Sequence, residues 1–221
     1  MLFRERTVDV EGTPSIYRVY VPRSKKRLPV ILFLHGRGEL GNDGLAQTTV
    51  GLGPAIERNP KRFSAIVVFP QASQGYGWRG FNLRTAVAAL DDVEQTYDID
   101  RDRVYVTGLS MGGFGAWAIA ALYPQRFAAV VPVCGGFDGT ATQMPMSEGA
   151  ARIAAIPQWA FHGDADDVVS VEHSRKMVAA LRAAGAEIRY TEYAGVRHNS
   201  WDRAYAEKEL LPWLLAQRRA Q

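Results

Sequence analysis

A Gly-x-Ser-x-Gly pentad set between an apolar run and a helical stretch of small residues constrains this chain more than any other feature. It lies within Val104-Tyr105-Val106-Thr107-Gly108-Leu109-Ser110-Met111-Gly112-Gly113, and helix-like sequence continues to Tyr123. A strand that runs directly into a helix there leaves Ser110 on a sharp turn with its hydroxyl exposed. Gly108 and Gly112 lack Cβ atoms, so neighbouring backbones can pass close to that turn. The helix behind Ser110 presents unpaired N–H groups and a positive dipole end. A developing oxyanion needs such an environment.

The rest of the chain reads as strands alternating with helices. Apolar runs at 29–34, 65–69, 104–106 and 128–133 have the unbroken hydrophobicity of parallel strands covered on both faces. Residues 2–10 and 15–21 predict a hairpin, with Glu11-Gly12-Thr13-Pro14 as its turn. Leu83, Val87, Leu90, Val93 and Tyr97 recur at helical spacing behind Asn82, a candidate cap. Helices are predicted over 111–123 and 171–184, the latter stopping at Gly185. The C-terminal helix is predicted to start after Ser200 and to kink at Pro212. Strand–helix alternation implies an α/β architecture, a parallel sheet with helices on both faces. The 221 residues fit one domain, 1–221.

A serine hydroxyl needs a base. Of the four histidines, His35 and His162 end predicted strands and read as loop anchors, and His173 sits on a helix. His198 follows the predicted strand 187–193, in the loop Ala194-Gly195-Val196-Arg197-His198-Asn199. It alone fits the order nucleophile, acid, histidine with catalytic groups at the carboxyl ends of strands. The acid should follow strand 158–162, where Asp164, Asp166 and Asp167 compete, and spacing does not choose among them. The loop His35-Gly36-Arg37-Gly38-Glu39 should supply a second oxyanion donor, which nominates the amides of Arg37 and Met111. Glu39 is a candidate brace of that loop or substrate contact, or else only a surface charge. Tyr76 and Trp78, in the loop after strand 65–69, are candidate walls for the acyl or alcohol group, or else anchors of their own loop.

Composition narrows the function classes. The formal charge is +3, from 26 basic and 23 acidic residues, and the basic residues are scattered, so no nucleic-acid partner is expected. Cys134 is the single cysteine, which excludes an intrachain disulfide, and its place after an apolar run predicts a buried thiol. Met1–Arg6 lack the apolar core of a signal peptide, and no run is long enough for a membrane span, so a cytoplasmic protein is expected.

Taken together, these motifs resemble the compact carboxylesterases of the α/β-hydrolase superfamily, near phospholipase/carboxylesterase, feruloyl-esterase-like and depolymerase-like members. The resemblance spans residues 15–218. It rests on His35-Gly36-Arg37-Gly38-Glu39, the Ser110 pentad, Tyr123-Pro124-Gln125-Arg126-Phe127, Phe161-His162-Gly163-Asp164-Ala165-Asp166-Asp167-Val168-Val169 and Gly195-Val196-Arg197-His198-Asn199-Ser200-Trp201. It implies an α/β-hydrolase fold with little or no lid domain, because residues 137–153 leave room only for a short flap. Its H-G-x-x-D-x-x-V stretch places the acid at Asp166, with Asp167 as the alternative. It implies a serine esterase acting on a small-molecule ester of short to medium acyl length or of aryl type, without cofactor or metal. Peptidase or acyltransferase chemistry would use the same triad, and a non-catalytic binding module is the reading from another class.

Overall fold

The computed structural model describes residues 2–219 apart from Lys25, Gln74 and Tyr76. Eight strands form one sheet in the order β1-β2-β4-β3-β5-β6-β7-β8. They are β1 (Phe3–Val10), β2 (Thr13–Tyr20), β3 (Leu28–Leu34), β4 (Ile66–Pro70), β5 (Ile99–Leu109), β6 (Ala129–Val133), β7 (Gln158–Gly163) and β8 (Ile188–Tyr193). β1 pairs antiparallel with β2, and β2 antiparallel with β4; every later pairing is parallel. The central strands are the apolar runs of the sequence, and β4 and β6 are buried at every position.

Alternate residues of each strand feed two cores. Val30, Leu32 and Leu34 of β3 point to one, with α2 (Phe81–Thr96), α3 (Met111–Leu122), α4 (Met146–Ile153) and α5 (Glu172–Ala183) packed over it. Ile31 and Phe33 point to the other, beneath α1 (Leu52–Arg58), α6 (Trp201–Ala206) and α7 (Leu210–Ala216). The expected sheet with helices on both faces therefore forms because a strand's side chains alternate. The stretch 137–153 is one loop and the eight-residue α4, with no lid among the described residues. No described helix is long and apolar enough to cross a membrane.

Three local expectations need correction. The first turn holds two residues, not four: Val10 pairs with Thr13, and Glu11 and Gly12 both take positive φ, as a primed hairpin turn requires. Asn82 does not cap α2. That helix begins after Gly80, and the Asn82 side chain bonds Ser73 and the Gly77 carbonyl instead. The C-terminal helix breaks at residues 207–209, ahead of Pro212, which lies in the first turn of α7 where a missing N–H costs no helical hydrogen bond.

Candidate active site

The loops after β3, β5, β7 and β8 meet at the carboxyl end of the sheet. Ser110 joins β5 to α3 with φ 53° and ψ −118°, a conformation that non-glycine residues adopt only where their surroundings impose it. Its N–H donates to the Val133 carbonyl at 2.9 Å, and its own carbonyl accepts from Gly113 and Phe114 at 2.8 and 3.2 Å. A Cβ on Gly112 would sit 1.9 Å from the Leu34 carbonyl oxygen, so the elbow can press against β3 only because that position is glycine. Met111 opens α3, and its amide has no acceptor within the helix.

His198 arrives from the loop after β8. Its Nε2 lies 3.0 Å from Ser110 Oγ, and its Nδ1 lies 2.8 Å from Asp166 Oδ2. The Asp166 side chain is fully buried, and its Oδ1 accepts the N–H groups of Val168 and Val169, both at 2.9 Å. Burial alone would raise its pKa. The hydrogen bonds from His198, Val168 and Val169 outweigh burial and hold the carboxyl below its ordinary value. The neighbouring acids go elsewhere. Asp164 accepts the Gly195 N–H at 2.7 Å and ties the two loops together, and exposed Asp167 pairs with Arg197. Those loops also touch at Gly163, where a Cβ would lie 2.1 Å from the Val196 carbonyl oxygen. Of the three aspartates, only Asp166 is brought to the imidazole.

His35 is fully buried and bridges the loops after β3 and β4. Its Nε2 accepts the Ala72 N–H at 2.9 Å, and its Nδ1 donates to the Gly36 carbonyl at 2.6 Å. Burial pushes its pKa from the ordinary 6.5 down to about 4, and burial lowers that of His162 as well. Both rings bind fewer protons folded than unfolded below the ordinary imidazole value. Their contribution is thus fully present above pH 6.5, and the His35 part is lost as pH falls towards 4. We expect urea midpoints to drop from pH 7 to 4.5, with His35 alone accounting for roughly 2 kcal/mol. A midpoint flat across that range would mean that His35 takes up its proton inside the fold.

A cleft of about 770 Å³ opens above Ser110. Arg37, Glu39, Trp78, Met111 and His198 line it, so most of the residues expected at the mouth are there. Trp78 is only 3% exposed, and its indole N–H donates to the His35 carbonyl at 2.9 Å, so it anchors its loop as well as forming a wall. Glu39 is largely buried, and its Oε2 has no hydrogen-bond partner; burial raises its pKa. Tyr76 lies outside the described residues. Phe114, Phe137, Val168, Val169 and residues 138–142 also line it and were missed in the sequence. Val168 carried a signal: an apolar residue two positions after Asp166, and it stands 69% exposed at the rim.

One trio of metal-ligand types converges among the described residues, Cys134, Asp166 and His198, with atoms within 4.8 Å. Those atoms are already engaged: His198 with Asp166, and Cys134 Sγ beneath the Ser110 N–H at 3.3 Å. Burial pushes the Cys134 thiol up to about 12, so it does not offer the thiolate a metal would need. What the arrangement can do is move a proton from a serine hydroxyl to an imidazole whose other nitrogen faces a buried carboxylate.

Comparison with known proteins agrees with this architecture. A thermostable esterase of known crystal structure superposes with a TM-score of 0.87 at 32% identity, over 99% of this chain and 64% of that one, so the fold is the α/β-hydrolase fold. Poly(3-hydroxyalkanoate) depolymerase C of Paucimonas lemoignei is 32% identical over 130 residues, 52% of this chain and 30% of its own. The bifunctional acetylxylan esterase/xylanase XynS20E of Neocallimastix patriciarum is 26% identical over 169 residues, 73% of this chain and 23% of its own. This chain thus spans less than a third of either curated relative. The family model for phospholipases and carboxylesterases matches residues 81–207, from the start of α2 past the whole Ser110, Asp166 and His198 constellation. With more than half of its length matched, the chain belongs to the phospholipase/carboxylesterase family.

Proposed function

We propose that this protein is a serine carboxylesterase that hydrolyses short- to medium-chain or aryl esters through an acyl-enzyme. The observation that carries the reading is the relay Ser110 Oγ–His198–Asp166, at 3.0 and 2.8 Å, on the floor of the cleft. His198 takes the Ser110 proton as Oγ attacks the ester carbonyl. The oxyanion is held by the amides of Met111 and Arg37, which open α3 and the short 3-10 turn after β3. His198 then protonates the leaving alcohol. Water repeats the sequence against the acyl-enzyme, and Asp166 keeps the imidazole oriented and offsets its charge. The cleft walls Trp78, Phe114, Phe137 and Val168 are apolar and suit a compact acyl or aryl group.

The testing experiment is a series of p-nitrophenyl esters of rising acyl length, with methyl ferulate and a matched anilide alongside. We expect measurable kcat/KM on the shorter esters, falling as the chain outgrows the cleft, and far slower release from the anilide. Anilide turnover equal to ester turnover would move the reading to a peptidase. Inertness towards every ester would overturn it.

A further inference from the structure

His162 was read above as a loop anchor, yet it is in hydrogen-bond contact with the acid of the relay. It is the penultimate residue of β7, with its side chain fully buried. Its Nε2 lies 3.1 Å from Asp166 Oδ2, the same oxygen that receives His198, and 2.9 Å from the Val169 carbonyl oxygen. Both neighbours of Nε2 are acceptors: one is a carbonyl, the other a carboxylate held ionised by its hydrogen bonds. Nε2 must therefore carry a hydrogen, whatever the state of the rest of the ring.

The other nitrogen tolerates that hydrogen without requiring it. Nδ1 is 2.7 Å from Ser174 Oγ, and Ser174 Oγ is also 2.8 Å from the Gly135 carbonyl oxygen. Ser174 has one hydrogen to give. As placed, Ser174 donates to Gly135 and would accept from an Nδ1–H; in a neutral ring protonated at Nε2, that hydrogen must turn from Gly135 to Nδ1. Nε2–H is retained in both. Asp166 thus faces four N–H groups, two on each oxygen: Val168 and Val169 on Oδ1, His198 and His162 on Oδ2, the His162 hydrogen being shared with the Val169 carbonyl.

We propose that His162 is a positioning residue for the relay, its Nε2–H a standing second donor to Asp166 Oδ2 that fixes the carboxylate's rotation and tempers the basicity of His198. The proposal rests on the catalytic reading of Ser110, His198 and Asp166. A second donor on Oδ2 drains negative charge from the atom that stabilises the His198 cation; losing it makes that cation easier to form. The other groups around the pair are accounted for. Glu192 faces His162 from β8, with its carboxylate held by Arg175 and Tyr190. Cys134 adjoins Asp166 from the end of β6, and Asp167, paired with Arg197, acts on His198 from outside.

The test compares His162→Met, which fills the space without a donor, with His162→Gln, whose amide N–H can reach the place of Nε2. For His162→Met we expect kcat to fall about ten- to a hundredfold, the range of one hydrogen bond to a charged group, with KM within about twofold. The acid limb of kcat/KM should move up by about half a pH unit, since the His198 cation is then more stable. His162→Gln should recover most of kcat and return the limb. A limb that stays in place while kcat follows melting temperature would overturn the proposal and leave His162 a packing residue. Long-range 1H–15N spectra of the native protein decide the matter even if His162→Met does not fold. A neutral His162 ring protonated at Nε2 supports the proposal, and one protonated at Nδ1 alone overturns it. That spectrum reads no turnover, so it separates failure of this inference from failure of the relay itself.

Discussion

Ser110→Ala should fold as the native protein does and lose nearly all turnover, by about 10⁴-fold or more in kcat, the usual consequence of deleting a nucleophile. Nothing else in the cleft replaces it. The thiol nearest to it, Cys134, is fully buried and held protonated. The variant keeps the elbow, because the hydrogen bonds that hold it use the backbone of residue 110 and not the hydroxyl. A fluorophosphonate probe should label the native protein once and this variant not at all. Turnover within tenfold of native would sink the mechanism while leaving the fold untouched.

Asp166→Asn should cost at least about a hundredfold in kcat, towards the 10⁴-fold seen when a serine protease loses the same charge. The physical reason is a count of donors. The carboxylate offers two oxygens to four N–H groups, whereas an amide has one oxygen. If that oxygen stays with the fixed amides of Val168 and Val169, the NH2 group faces His198 Nδ1. The imidazole must then accept at Nδ1 and carry its hydrogen on Nε2, where it can no longer take the Ser110 proton. Asp164→Asn and Asp167→Asn should retain most activity, since neither carboxylate reaches the imidazole. Steady-state kinetics on one ester checks all three. A dead Asp167→Asn beside a live Asp166→Asn would shift the acid by one residue and leave the pairing of Ser110 with His198 standing.

The strands and the elbow were legible because they rest on local rules: unbroken apolar runs for buried parallel strands, and a strand–Gly-x-Ser-x-Gly–helix sequence for the turn. His198 followed from chain order. The choice among Asp164, Asp166 and Asp167 was not available from spacing, because it depends on which carboxylate meets the amides of Val168 and Val169 as the loop folds back. Resemblance named Asp166, and it is the carboxylate that the loop brings to the imidazole. Asn82 looked like a cap by residue type, but its side chain is claimed by the loop 73–77, a tertiary contact that no helix pattern encodes. The contact between His162 and Asp166 was hidden similarly. A strand-ending histidine four residues before an acid reads as an anchor until the loop's curvature brings the two together.

The order of the strands carries one more consequence. The hydroxyl and the imidazole it needs are 88 residues apart in the chain, and the imidazole hangs from β8, a margin of the sheet that docks only on β7. Such long-range pairings form late, since their loop-closure entropy must be met before they give anything back. If Ser110 is the nucleophile proposed above, it gains its base only once β8 is seated on β7. On the proposed mechanism, reactivity is thus tied to completion of the sheet, and a chain whose last strand is not in place carries a serine with no base beside it.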